Sequence, residues 1–223
     1  MKKFLNLLLL FMLAFHADVW ASETGVWTYL SLIKPIDSRW SVSAQTELRS
    51  SRDNTDFFLW YLDGNIRYSA CKWLALSAGI DWIKLHNYPT ASRPGIWRDD
   101  WRPYVAVTPS WRMGPIRADL NESWCWNWLP EMQTGSPAYT FRGKAFHLMR
   151  HRLTLQYPVR DTRYTPFFRC EVRHTDVMER IRFTLGSHIR LNAHATLDAG
   201  YVYEDKTHST RTHALTVGFR YRL

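Results

Sequence analysis

Phe58–Tyr68 reads FLWYLDGNIRY, and the alternation inside it decides the fold. Phe58, Trp60, Leu62, Gly64, Ile66 and Tyr68 fall on one face of an extended chain, and Asp63, Asn65 and Arg67 on the other. Successive side chains of a strand point to opposite faces, so a period of two predicts a strand with one apolar and one polar surface. The same period runs through Trp40–Arg49, where Trp40, Val42, Ala44, Thr46 and Leu48 oppose Ser41, Ser43, Gln45, Glu47 and Arg49. Leu74 to Trp82 continues it, and weaker series follow around Val105, Ile116, Leu153, Phe168, Ile181 and Ala195. These segments are 10 to 14 residues long, against the ~9–11 that a tilted strand needs to cross a bilayer.

Connections support the same architecture. Short turns are expected at Pro35–Ser38, Ser69–Cys71, Arg112–Gly114, Pro158–Thr162 and Arg190–Asn192, and longer loops at His86–Asp99 and Leu129–Thr140. Short and long connections largely alternate along the chain, as in outer-membrane barrels. Starting from Val26–Lys34 the count is 11 segments. Bacterial single-chain barrels normally use even numbers, so 10 or 12 strands are expected, with a bulge or break in Phe146–His151, where the alternation slips. The fold class is therefore all-β, an antiparallel transmembrane up-and-down β-barrel of 10–12 strands.

Lys2 and Lys3 precede an apolar run, Phe4–Phe15, that only Asn6 interrupts, and Val19-Trp20-Ala21 then offers a cleavage site. That order is a secretory signal peptide of residues 1–21, with residues 22–223 forming the barrel. The first cysteine is Cys71, so no lipid-anchoring cysteine follows the cleavage site. Later in the chain no apolar stretch approaches the length of a membrane-spanning helix. The chain carries 12 Trp, 11 Tyr and 11 Phe, yet its mean hydropathy is −0.35. A barrel reconciles the two, because only alternate residues meet lipid and the others line a polar lumen. Formal charge is +9, which for an exported protein points to anionic lipid or solutes rather than nucleic acid. Cys71, Cys125 and Cys170 match no zinc spacing and read as incidental thiols, with a single bridge left open.

Leu215, Val217, Phe219, Tyr221 and Leu223 alternate to the last residue. Such an end resembles the signal read by the outer-membrane assembly machinery, although Leu223 stands where that signal usually has an aromatic residue. Trp73, Trp82, Trp97, Trp101, Trp111, Trp124, Trp126 and Trp128 lie near predicted strand ends, where interfacial girdles place amphipathic rings.

Trp27, Lys34-Pro35, Trp40, Glu47-Leu48-Arg49, the arginine-rich Arg150–Tyr157 and Arg180–Leu185, Gly200-Tyr201 and Gly218–Tyr221 together resemble an exported family, domain of unknown function 2490. The resemblance covers nearly the whole mature chain. It implies a barrel in the outer membrane of a Gram-negative bacterium and brings no catalytic residues.

With the apolar face toward lipid, the opposite face defines a candidate lumen charge network: Glu47, Arg49, Asp63, Arg67, Arg117, Asp119, Arg150, Arg152, Arg169, Glu171, Arg173, Arg180, Arg182 and Arg220. Asp81, Arg102, Asp198, Glu204 and Arg222 share that face. Arginine exceeds carboxylate, which reads either as a small anion-preferring pore or as a lumen plugged by paired charges in a structural or envelope component. Among the 9 histidines, His147 and His151 are ~13 Å apart on a strand, too far to share an ion. His174, His208 and His213 fall near loops and read as solvated. Ser187-His188 and His208-Ser209 put nucleophile and base on opposite faces, against catalysis within either pair. A lipid-modifying outer-membrane hydrolase and a soluble periplasmic β-barrel binding protein are the alternatives. No cofactor and no nucleic-acid partner are implied; the expected partners are outer-membrane lipid and the assembly machinery.

Overall fold

The computed structural model describes residues 23–51, 56–87, 95–134, 139–207 and 211–223. The signal peptide and the His208-Ser209 pair lie outside them. Among the described residues there are no helices and thirteen strands: β1 Glu23–Pro35, β2 Trp40–Ser51, β3 Asp56–Cys71, β4 Leu74–Asn87, β5 Ile96–Met113, β6 Ile116–Leu129, β7 Met132–Thr134, β8 Tyr139–Phe141, β9 Lys144–Gln156, β10 Tyr164–His174, β11 Met178–Arg190, β12 Ala195–Lys206 and β13 Thr212–Arg222. β7 and β8 form a separate hairpin, and the other eleven close into a barrel.

Eleven is the count read along the sequence, and the expected even number is wrong. Every consecutive pair is antiparallel, so an odd total leaves the first and last strands running the same way. β1 and β13 accordingly close the barrel in parallel, in register from Glu23↔Thr212 to Ile33↔Arg222. One rim carries connections 36–39, 72–73, 114–115, 157–163 and 191–194, together with the end of β13; at the other stand the ends of β2, β4, β6, β10 and β12 and the starts of β1, β3, β5, β9, β11 and β13. These are called the turn rim and the loop rim below.

Other expectations also shift. The two ends of His86–Asp99, expected as a loop, are wall, since β4 continues to Asn87 and β5 starts at Ile96; residues 88–94 lie outside the described residues. β9 pairs without register change through Phe146–His151. The register shifts occur instead at Arg49/Ser50, Ser69/Cys71 and Arg173/His174. At the first, Arg49 faces Leu59 and Ser50 faces Phe57, so Phe58 is the extra residue. That one-residue slip turns Phe58 into the lumen lining, although it opens the quoted alternation on the apolar face.

The molecule is inside out relative to a soluble domain. Its outer wall exposes Leu30, Leu32, Leu48, Leu62, Ile66, Leu76, Ile80, Val105, Val107, Leu215 and Val217, while Arg49, Asp81, Arg102, Arg150, Glu171, Arg173, Arg182, Asp198 and Glu204 are buried. Exposed tryptophans form two belts. Trp40, Trp73 and Trp111 sit near the turn rim; Trp60, Trp97, Trp101, Trp124, Trp126 and Trp128 sit toward the loop rim. Trp82, Trp101 and Trp128 occupy directly opposed positions on β4, β5 and β6. Trp27 belongs to neither belt, being buried in the lumen.

Two lumenal rings lie flat over glycines on the adjoining strand. A Cβ at Gly218 would fall 2.1 Å from the Tyr29 ring across the parallel seam, and one at Gly79 would fall 2.6 Å from the Tyr104 hydroxyl. Only glycine admits that approach, and the covering ring restores the packing a glycine lacks.

Candidate functional site: a charged lumen and an outer-wall histidine chain

Strand pairing sorts the lumenal side chains into rows that run perpendicular to the strands. Along one row Arg152, Glu171, Arg182 and Glu204 stand directly opposite one another on β9 to β12. Opposite charges in that position stabilise a sheet. Glu171 accepts from Arg152 at 2.7 Å and from Arg173 at 2.8 Å, and the Arg182 guanidinium is 3.6 Å away. Glu204 accepts from Arg182 at 2.8 Å and has Arg180 at 3.5 Å and Lys206 at 3.4 Å. The two glutamates are almost fully buried, and a buried carboxylate persists only when several donors replace water.

The next row toward the loop rim is uniformly positive: Arg150, Arg173, Arg180 and Lys206 are opposed in register on the same four strands. On the facing wall Asp81 accepts from the Tyr61 hydroxyl at 2.6 Å and lies 3.9 Å from both Arg102 and Arg150. Asp63 accepts from the Tyr104 hydroxyl at 2.9 Å, and Arg102 donates to Asp100 at 3.0 Å. Nearer the turn rim Asp198 gathers His188 at 2.7 Å, Arg220 at 2.8 Å and the Tyr29 hydroxyl. Trp27 carries the Arg49 guanidinium 4.1 Å and the Arg182 guanidinium 4.8 Å from its ring centre, close enough for cation–π attraction.

Apart from the fully buried Asp81, these groups line one cavity of about 1080 Å³ that reaches Ser41, Arg67 and Arg222 near the turn rim and Arg98, Leu129 and Lys206 near the loop rim. Thirteen arginines and one lysine line it against eight carboxylates. All fourteen residues of the sequence-derived network are among the lining. Strand registers join Arg150, Arg152, Glu171, Arg173, Arg180 and Arg182 into one cluster; Glu47 pairs with Arg49, and Asp119 with Arg117 at the turn rim. Arg169 has no carboxylate partner among the described residues and lies over the Phe167 ring at 5.4 Å. Arg98 was missed because its stretch, His86–Asp99, reads as loop, and Asp100 because it falls between that loop and the next alternating series. Trp27 carried no signal that separated it from the girdle tryptophans.

The outer wall holds a second feature. Glu122, His151 and His174 project from β6, β9 and β10 on the apolar side, just below Trp124 and Trp126. Glu122 contacts Nδ1 of His151; Nε2 of His151 lies 2.8 Å from Nε2 of His174; and Nδ1 of His174 donates to the Thr175 carbonyl at 2.8 Å. Two facing imidazole nitrogens bond only when one donates its proton and the other accepts it, so the chain holds the two rings in complementary roles. The solvated role expected for His174 is thereby corrected. All four ring nitrogens are engaged, which leaves no free base for a substrate proton. Ser187 and His188 do face opposite ways, with His188 stacked on Phe167 inside the barrel at 4.3 Å. Cys71, Cys125 and Cys170 are all free thiols.

A comparison with curated proteins finds no sequence match. Among solved structures, the translocator domain of the autotransporter NalP from Neisseria meningitidis superposes with a TM-score of 0.62 at 12% identity, covering 91% of this chain and 86% of that one. The β domain of the Bordetella autotransporter BrkA gives 0.57 at 11% identity, covering 82% of each chain. Likeness at that identity establishes the fold, that of outer-membrane β-barrels. A family model matches residues 24–214, and the chain thus belongs to the family of proteins of unknown function DUF2490.

Proposed function

We propose that this protein resides in the outer membrane of a Gram-negative bacterium and provides a narrow passage that favours small anions. The distribution of lumenal charge carries the reading. Lining charges on β1 to β6 balance, and the whole positive excess falls on β9 to β13, along a cavity that reaches both rims. A low-dielectric wall focuses such a field and lowers the barrier for anions relative to cations. Membrane residence is supported by the apolar outer wall between two tryptophan belts, a surface that water would not tolerate. In this reading the C-terminal strand, with Phe219, Tyr221 and Leu223 facing outward, is the segment presented to the assembly machinery.

Two measurements test the proposal. In membrane fractions the unheated protein should migrate faster on a gel than the boiled protein; a soluble protein with no such shift contradicts membrane residence. Purified protein in planar bilayers should give small, discrete conductance steps, and a silent bilayer at high protein loading contradicts the passage.

A further inference from the structure

We propose that the loop-rim half of the lumen binds a soluble phosphate-type oxyanion, inorganic phosphate or a phosphomonoester, on the row Arg150, Arg173, Arg180 and Lys206. The inference rests on the anion-passage reading and names the solute class. Three observations converge on it.

The row places four cations on adjacent strands in direct register, ~4.8 Å apart from strand to strand, an arrangement that destabilises a sheet unless an anion lies against it. Nearby carboxylates are already shared. Glu171 divides between Arg152, Arg173 and Arg182, and Glu204 between Arg180, Arg182 and Lys206. Donors are also left over: Nε of Arg150 and Nε of Arg180 are buried with no hydrogen-bond partner, and Arg150 is only 6% exposed. A buried guanidinium nitrogen without an acceptor is costly, and a tetrahedral oxyanion supplies acceptors to two forks at once in a way chloride does not.

Access fits the loop rim. Arg173 and Arg180 flank connection 175–177, one of the shortest on that rim, and Lys206 closes β12. A soluble anion therefore meets the row from the loop side, while a lipid phosphate held at the outer wall is separated from it by the barrel itself.

Calorimetric titration of inorganic phosphate into the folded, detergent-solubilised barrel tests the site without depending on conduction. Saturable one-site binding is expected, weakened roughly tenfold or more in Arg180→Gln and in Lys206→Gln, since a charge-assisted bond contributes about that factor. Lys206 lies at the rim, so its variant should fold; heat-shifted gel migration checks both. In bilayers, phosphate added on the loop side should reduce the chloride current, and phosphatidic acid in the membrane should leave it unchanged. Absent binding, or binding unaltered in both folded variants, overturns the proposal, as does equal block by phosphatidic acid. A silent bilayer with intact phosphate binding would instead remove the passage and keep the site.

Discussion

Glu171 holds three arginines from three strands, and among the described residues it is the one carboxylate paired with Arg152 and Arg173, whereas Arg182 also has Glu204. Removing one member of a buried ion cluster strands the rest, at about 3–5 kcal/mol. Glu171→Ala should therefore lower the unfolding free energy of the barrel, read from urea titration in lipid vesicles, by that amount. Asp119→Asn should cost under ~1 kcal/mol, because its partner Arg117 is about half exposed. Glu122 differs again, since its chain faces outward. Glu122→Ala should destabilise by about 1–3 kcal/mol through the unpaired His151, whereas leucine at Glu122, His151 and His174 together should restore stability; equal loss in both would show that the chain is not a coupled unit. In the 36–39 turn, the backbone amides of Arg39 and Trp40 donate to the Asp37 carboxylate at 2.6 and 2.7 Å and hold its pKa below the usual aspartate value. A lowered folded pKa gives stability that is present above the ordinary aspartate range and lost as pH falls through the lowered value. Asp37→Ala should unfold more readily than wild type at neutral pH and match it in strong acid.

Strands were legible wherever lipid and lumen impose opposite demands on alternate residues, as in Trp40–Arg49 and Leu215–Leu223. Legibility failed where one inserted residue reverses the faces, as at Phe58, and where a strand outruns the membrane and takes on a loop-like composition, as at Ile96–Asp99. The lumen's membership could be read, because face follows from parity. Its pairing could not: that Glu171 meets Arg152 and Arg182 depends on register, which bulges and barrel closure set. The Glu122–His151–His174 chain was hidden for a related reason, since 130–143 separates β6 from β9 in sequence. The seam offers a test at this scale. Gly218→Ala drives a Cβ into the Tyr29 ring and should cost about 1–3 kcal/mol, largely recovered when Tyr29→Ala accompanies it; no recovery would contradict the ring-over-glycine contact.

At the scale of the whole molecule, eleven strands and a parallel seam follow from each other. Cysteines placed at Thr28 and Val217, which share a register position, should form a disulfide on a background lacking the native thiols, since paired Cα atoms fall in the bridging range. A pair that fails to oxidise would argue for a different closure. Function is a whole-molecule property too, because no single arginine makes the lumen basic; the excess arises from the sum over β9 to β13. The most direct test is the zero-current potential of the reconstituted barrel under a potassium chloride gradient. A shift toward the chloride equilibrium potential, growing as ionic strength falls and screening weakens, is the predicted result; a shift toward the potassium potential would contradict an anion-preferring lumen.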